Sequence, residues 1–213
     1  HLVKNTPKVT GFLGSGNKPQ AISERDAARY FGGVEAAKAE PKKHVNVDYE
    51  IGDQVVYPHH GAGKVLKKEQ KEVLGEKREY LTIKILPNDM TVMVPCENAC
   101  KAGLRRVIDE ETVKKVLAVL SDDVSEMPKN WNRRFKHNRD KIKTGDIYEL
   151  AEVVRNLAIR EQDKGLSTGE KQMYTRAKKI LASELMYALE MEEDEAEEHL
   201  DTLIEEAHSE RTG

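Results

Sequence analysis

Arg78-Glu79-Tyr80-Leu81-Thr82-Ile83-Lys84-Ile85 sets Tyr80, Thr82 and Lys84 against Leu81, Ile83 and Ile85 in strict alternation. That is the period of a strand with one face buried. Just before it, Leu74-Gly75-Glu76 separates this run from Lys64–Gln70, which predicts a hairpin. Further back, Gln54-Val55-Val56-Tyr57 is rich in strand formers and follows a turn at Tyr49–Asp53. Pro58 then ends the pairing, and Gly61 and Gly63 supply turn or bulge freedom. Downstream, Pro87-Asn88-Asp89 is a turn, and Thr91-Val92-Met93-Val94 is a strand stopped by Pro95. Four to five short strands in under 60 residues imply a small, strongly bent sheet or barrel.

From residue 109 the period becomes helical. Asp109 can cap a helix carrying Val113, Val116, Leu117 and Leu120. Pro128 is expected in the first turn of a second helix, where its missing N–H costs little. Asp146 can cap a third, with Ile147, Leu150, Val153, Val154 and Leu157 as its stripe and Gly165 at its end. Ser167-Thr168-Gly169-Glu170 is a capping box for a fourth, whose apolar face is Met173, Ala177, Ile180, Leu181, Leu185 and Ala188. A last acidic helix is expected over about Asp194 to Ala207. The fold class is therefore α+β: a small bent β-sheet or barrel over 47–108, an all-α domain of about five helices over 109–207, and a short tail over 208–213. Residues 1–46 hold several Gly and Pro and few large apolar residues. They read as a flexible extension, with one short helix plausible from Ser23 to the Gly32-Gly33 stop.

With 34% charged residues and 5% aromatic, a single large core would be thin, and two small cores fit better. No apolar run reaches the ~20 residues that span a bilayer, and His1-Leu2-Val3-Lys4 is not a signal-peptide start. A cytoplasmic protein without membrane contact is expected. Cys96 and Cys100 supply half of a structural zinc set and are expected as reduced thiols. The net charge of −3 conceals an asymmetry. Residues 184–213 carry 12 acids and one base, −11 in all, which leaves +8 on the other 183 residues. Clustered positive charge is compatible with nucleic-acid binding whatever the mean.

The cluster is Lys129–Lys143, with seven Lys or Arg and one acid, +6 over 15 residues, and the only Trp of the chain inside it. Basic side chains on a helix neutralise phosphates. An aromatic wedge among them can stack on bases or open a base step. A second reading stands beside this one. Trp131, Phe135, Asn138 and Ile142 are spaced 4, 3 and 4 apart, so Trp131 is also placed as the first core residue of an ordinary amphipathic helix.

Lys164–Lys171 forms another candidate. A helix N-terminus beside Gly169 can receive a phosphate, with Lys171, Arg160 and Arg155 near it; a capped turn with a solvated lysine is the plainer alternative. His59 and His60 are adjacent, and adjacent residues seldom converge on one ion from a strand end. With no Asp, Glu or Cys at ligand spacing, no metal is expected. Gly61 and Gly63 do not belong to a phosphate-binding loop, and no nucleophile–base signature occurs.

Ile51-Gly52-Asp53-Gln54-Val55-Val56-Tyr57-Pro58-His59-His60-Gly61 resembles the opening motif of the bacterial CarD/CdnL family. Tyr80-Leu81, Thr91–Asn98, Gly103-Leu104-Arg105, Pro128–Arg134 and Gly165–Lys171 continue the likeness, over roughly 48–207. The resemblance implies a Tudor-like module that docks on the β subunit of the RNA polymerase holoenzyme, and a helical domain at the upstream edge of the promoter bubble. It implies no catalysis and no cofactor. Carried over by motif, Trp131 is the minor-groove wedge, with Arg133, Arg134, Lys136 and Lys171 at the phosphates; Arg160 stays a DNA-contact candidate from its place upstream of Lys164–Lys171. Lys71, Val73, Arg78, Thr91 and Met93 match the polymerase-docking surface. Met93 departs from some relatives, which carry a basic residue there, so one polymerase contact is expected to be apolar or weaker. Residues 1–46 lie outside the family pattern and are a lineage-specific tail or an added sequence.

The expected protein is a non-enzymatic transcription regulator, acting as a monomer, that stabilises the open complex and reaches the nucleoid through polymerase. Neither half has a helix-turn-helix pattern, so DNA contact is expected to be largely sequence-nonspecific. One rival is an adaptor on polymerase without functional DNA contact. The other is an enzyme using His59, His60 or Cys96.

Overall fold

The computed structural model describes residues 47–213. The extension over 1–46 and its short helix lie outside the described residues. Five strands form one antiparallel sheet: β1 (Gln54–Tyr57), β2 (Gly61–Val73), β3 (Glu76–Ile85), β4 (Met90–Pro95) and β5 (Arg105–Arg106). Their spatial order is β4-β3-β2-β1-β5, so β4 and β5 are the edges. Leu81, Ile83 and Ile85 of β3 point into the core with Val55, Val65 and Val94, as their alternation requires. A register shift at Val65/Lys67 bends β2.

Gly61 has φ 112°, which favours glycine, but Gly63 does not need a special backbone angle. A Cβ on Gly63 would stand 2.3 Å from the Lys84 carbonyl oxygen. Its absence lets β2 approach β3 closely, which corrects the turn-or-bulge reading for that residue.

The helices are α1 (Glu110–Leu120), α2 (Trp131–Lys143), α3 (Ile147–Lys164), α4 (Thr168–Ala188) and α5 (Glu193–Thr212). Asp109, Asp146 and Ser167 cap α1, α3 and α4, the last in a reciprocal capping box. Pro128 lies before α2 and not in its first turn. Asn130 is the cap, its side chain accepting from the Arg133 N–H, because a short polar side chain satisfies an orphan amide that Pro cannot. The acidic α5 runs to Thr212, past the expected end at 207. Its Arg211 holds Asp123 at 3.0 Å and its Ala196, Leu200 and Ile204 join the helical core. That core is built from the stripes of α1, α3, α4 and α5.

Sheet and helices belong to one compact unit. Glu184, counted by sequence with the acidic end, is 2% exposed on α4. It accepts from both Arg105 guanidinium nitrogens, at 2.6 and 2.9 Å, and from the Ile108 N–H at 3.2 Å. The Ala62 N–H donates to Ser183 Oγ at 2.9 Å, and Arg176 donates to the His59 carbonyl at 3.0 Å. These bonds fix the base of the sheet against α4.

Candidate nucleic-acid interface

Trp131 opens α2, directly after the Asn130 cap. Its ring is 44% exposed, so it is neither a core residue nor a free one. One face stacks on Phe135 with centroids 5.3 Å apart, and its indole N–H donates to Ser167 Oγ at 2.8 Å. The Ser167 hydroxyl in turn donates to Glu170 at 3.0 Å, and the Ser167 and Glu170 backbone N–H groups complete the box. Gly169 lies under the two rings, where a Cβ would stand in ordinary contact, 3.5 Å from Phe135 and 3.7 Å from Trp131. The same box that caps α4 therefore aims the indole of α2.

Behind it lies a buried ion pair. Arg134 Nε donates to Glu170 Oε1 at 2.6 Å, and its Nη1 donates to the Lys129 and Pro128 carbonyls at 2.9 and 3.3 Å. Burial pushes the Glu170 carboxyl up, but bonds from Arg134 and from Ser167 outweigh it and hold the group below the usual carboxylate range. Arg134 itself is 4% exposed. It cannot meet a phosphate while bound to Glu170, which corrects its expected role: it positions the loop before Trp131. Arg155 is likewise buried, donating to the Val119 carbonyl and to Asn156. Arg160 lies 4.0 Å from Glu170 with a buried Nε, so only part of its guanidinium is presented.

The presented cations are Arg133, Lys136 and Lys171. Arg133 is exposed on α2, two residues after Trp131. Lys136 pairs with Asp140 at 2.5 Å and Lys171 with Glu161 at 3.4 Å, both in open solvent. Such pairs are worth about 0–1 kcal/mol, so a phosphate can replace either carboxylate at little cost.

On the sheet, register puts Lys71 opposite Arg78, Val73 opposite Glu76, Met93 opposite Thr82 and Thr91 opposite Lys84. Alternation then places Lys71, Val73, Arg78, Thr91 and Met93 on one face, away from the core. Lys71 Nζ reaches Met93 Sδ at 3.7 Å. Leu74 projects from the hairpin tip at 99% exposure, and sequence reading missed it.

His59 Nδ1 faces the Ile142 carbonyl at 3.4 Å, and His60 stacks on Tyr57. Burial, then the Glu79 carboxylate, push the Cys96 thiol up to about 11, so it is protonated at neutral pH. No group of three or more His, Cys, Asp or Glu able to hold a metal occurs among the described residues, and no described helix is long and apolar enough to cross a membrane.

Two family models match the chain: CarD-like/TRCF RID domain over residues 49–108 and CarD, C-terminal domain over 115–201. The putative transcription factor YdeB of Bacillus subtilis (strain 168) is 41% identical over 137 residues, 64% of this chain and 90% of that protein. The chain belongs to the CarD family. Two solved structures from Myxococcus xanthus are similar in part. The 72-residue N-terminal domain of CarD is 34% identical, covering 28% of this chain and 79% of that one at a TM-score of 0.25. CdnLNt is 36% identical, covering 30% and 90% at 0.26. The transcription termination/antitermination protein NusG of Rickettsia felis is 45% identical over 56 residues, 26% of this chain and 28% of NusG.

As a CarD-family protein the chain is a transcription regulator, and the family is one of transcription factors and not of enzymes. Two residues that organise the interface and one that ties the sheet to α4 carried a weak sequence signal. Ser167 and Glu170 were legible as a cap but not as the seat of Trp131. Glu184 entered the sequence reading only through the charge of 184–213, although it sits on the apolar side of α4 among Leu181 and Leu185.

Proposed function

We propose that this CarD-family chain holds RNA polymerase through the outer face of its sheet and promoter DNA through α2 and the start of α4, and so stabilises the open complex. The observation that carries the proposal is Trp131: half-exposed and held by Phe135 and Ser167, on a helix that also presents Arg133 and Lys136 to solvent, with the exposed Lys171 in the first turn of α4. A ring fixed at one edge can insert into an opened base step without first losing its own freedom. If it favours opened over closed DNA, it shifts that equilibrium.

The two modules, 47–108 and the helical part from 109, divide the task. Lys71, Val73, Arg78, Thr91 and Met93 dock on the polymerase β subunit, which raises the local concentration of the helical module at the upstream edge of the bubble. Arg133, Lys136 and Lys171 then need only phosphate contacts, so the DNA contact is largely sequence-nonspecific. Arg160 is a secondary contact and Arg134 is not one. A single copy suffices, in the cytoplasm, with polymerase bringing it to the nucleoid.

The test is the equilibrium fraction of open promoter, read by 2-aminopurine fluorescence at the upstream edge with purified bacterial holoenzyme. The intact protein is expected to raise the fraction, and Met93→Glu and the pair Arg133→Glu/Lys136→Glu are each expected to remove that effect. Full stimulation by the Arg133/Lys136 variant would leave an adaptor on polymerase, with no functional DNA contact.

A further inference from the structure

Two clefts flank the exposed ridge of α4 where it meets the turn after β1. One, about 560 Å³, runs from Phe135 and Gly169 past Arg139, Ile142 and Lys143 to His59 and Arg176. The other, about 440 Å³, lies between the Pro87–Asn88 turn and Thr168, Lys171, Thr175 and Lys179. They share His59, His60, Gln172 and Arg176, and neither is lined by an Asp or Glu. Arg139, Lys143 and Lys179 are exposed and have no carboxylate within ion-pairing distance among the described residues.

Unpaired cations along a rim repel one another, and an anion relieves that repulsion. Phe135, Ile142, Met173 and Ile180 make the floors apolar, and the imidazoles of His59 and His60 stand between the two clefts. A cationic rim over flat apolar surface is the composition of a single-strand path, in which phosphates follow the charges and bases lie on the rings. A duplex is a convex cylinder and does not enter clefts of this size. The first cleft also begins at Phe135, the ring on which Trp131 stacks. A strand parted at Trp131 would enter it directly.

We propose that this paired cleft takes a single strand of DNA released at the opened junction, with Arg139, Lys143, Arg176 and Lys179 at its phosphates. The proposal rests on Trp131 marking the junction, as argued above. Arg176 keeps one nitrogen on the His59 carbonyl, so it also ties the strand path to the turn after β1.

Fluorescence anisotropy of the full chain on a blunt duplex, and on the same duplex with an unpaired oligo(dT) tail, tests it. The tail is expected to tighten binding about tenfold, the lower end of base–aromatic stacking. Arg139→Glu/Lys143→Glu, and separately Lys179→Glu, are expected to abolish that gain while blunt-duplex binding stays within about threefold. These side chains are exposed and unpaired, so the variants are expected to fold, which circular dichroism checks. No gain from the tail overturns the proposal, as does an equal loss on both DNAs. So does a glutamate-rich peptide that binds the clefts and is lost in the same variants while tailed DNA gains nothing. Trp131→Ala and Arg133→Glu separate the two failures: if they weaken duplex binding while the cleft variants change nothing, only the strand path is wrong.

Discussion

Removing Glu170 should collapse the seat of Trp131. Its carboxylate is 2% exposed and accepts from Arg134 at 2.6 Å and from the Ser167 N–H at 3.2 Å. Glu170→Ala leaves the Arg134 guanidinium buried without its anion, and breaking one side of such a pair costs roughly 3–5 kcal/mol. The cap is only partly lost, because Ser167 Oγ still accepts from the amide of residue 170, so less than the usual ~1 kcal/mol is added there. Against a total stability of about 5–15 kcal/mol this is a large change in a urea midpoint. Arg134→Met should cost a similar amount, whereas Arg134→Met/Glu170→Met should cost much less than the two together, since no orphan charge remains. The pH dependence has a defined sign. The folded pKa of Glu170 lies below its ordinary value of 4.5, so its stabilisation is complete above that pH and is lost as pH falls through the depressed folded value. Glu170→Gln should flatten this acid limb. A cost below about 1 kcal/mol for Arg134→Met would mean that the pair is solvated, and the argument for a fixed Trp131 would fail.

Other outcomes follow from single positions. Glu184→Ala removes the acceptor of two Arg105 bonds and one amide bond; with Arg105 partly in water, urea unfolding should show a loss of about 2–3 kcal/mol. Gly63→Ala puts a methyl 2.3 Å from a backbone oxygen between two central strands, and a loss of about 1–3 kcal/mol is expected, whereas Gly169→Ala meets only ordinary contacts and should stay within about 1 kcal/mol. Cys96 should react slowly with iodoacetamide at pH 7, its rate still rising about tenfold from pH 9 to 10, because burial holds the thiol near 11; a rise of less than about twofold over that unit would show an ordinary thiol.

The strand and helix periods were legible because both modules have one wet face. Leu81, Ile83 and Ile85 alternate, and Met173, Ala177, Ile180 and Leu181 recur at helical spacing. Caps at Asp109, Asp146 and Ser167 were legible because each satisfies local amides. Tertiary polar contacts were not. The same +6 run contains Arg133, which is exposed, and Arg134, which is buried, and nothing local separates two adjacent arginines. Their difference is set by Glu170, 36 residues away in the chain. The role of Glu184 was not legible for the same reason, since its partner Arg105 lies 79 residues upstream. Trp131 had two readings, core or wedge, and the structure falls between them: stacked on one side and open on the other.

The lifetime of open complexes on a ribosomal-type promoter, with purified polymerase, tests the central claim most directly. The intact protein should lengthen it, and Trp131→Ala, folded by circular dichroism, should leave it near the value without added protein. A Trp131→Ala lifetime equal to that of the intact protein would contradict the wedge and leave the exposed indole without a role at the junction.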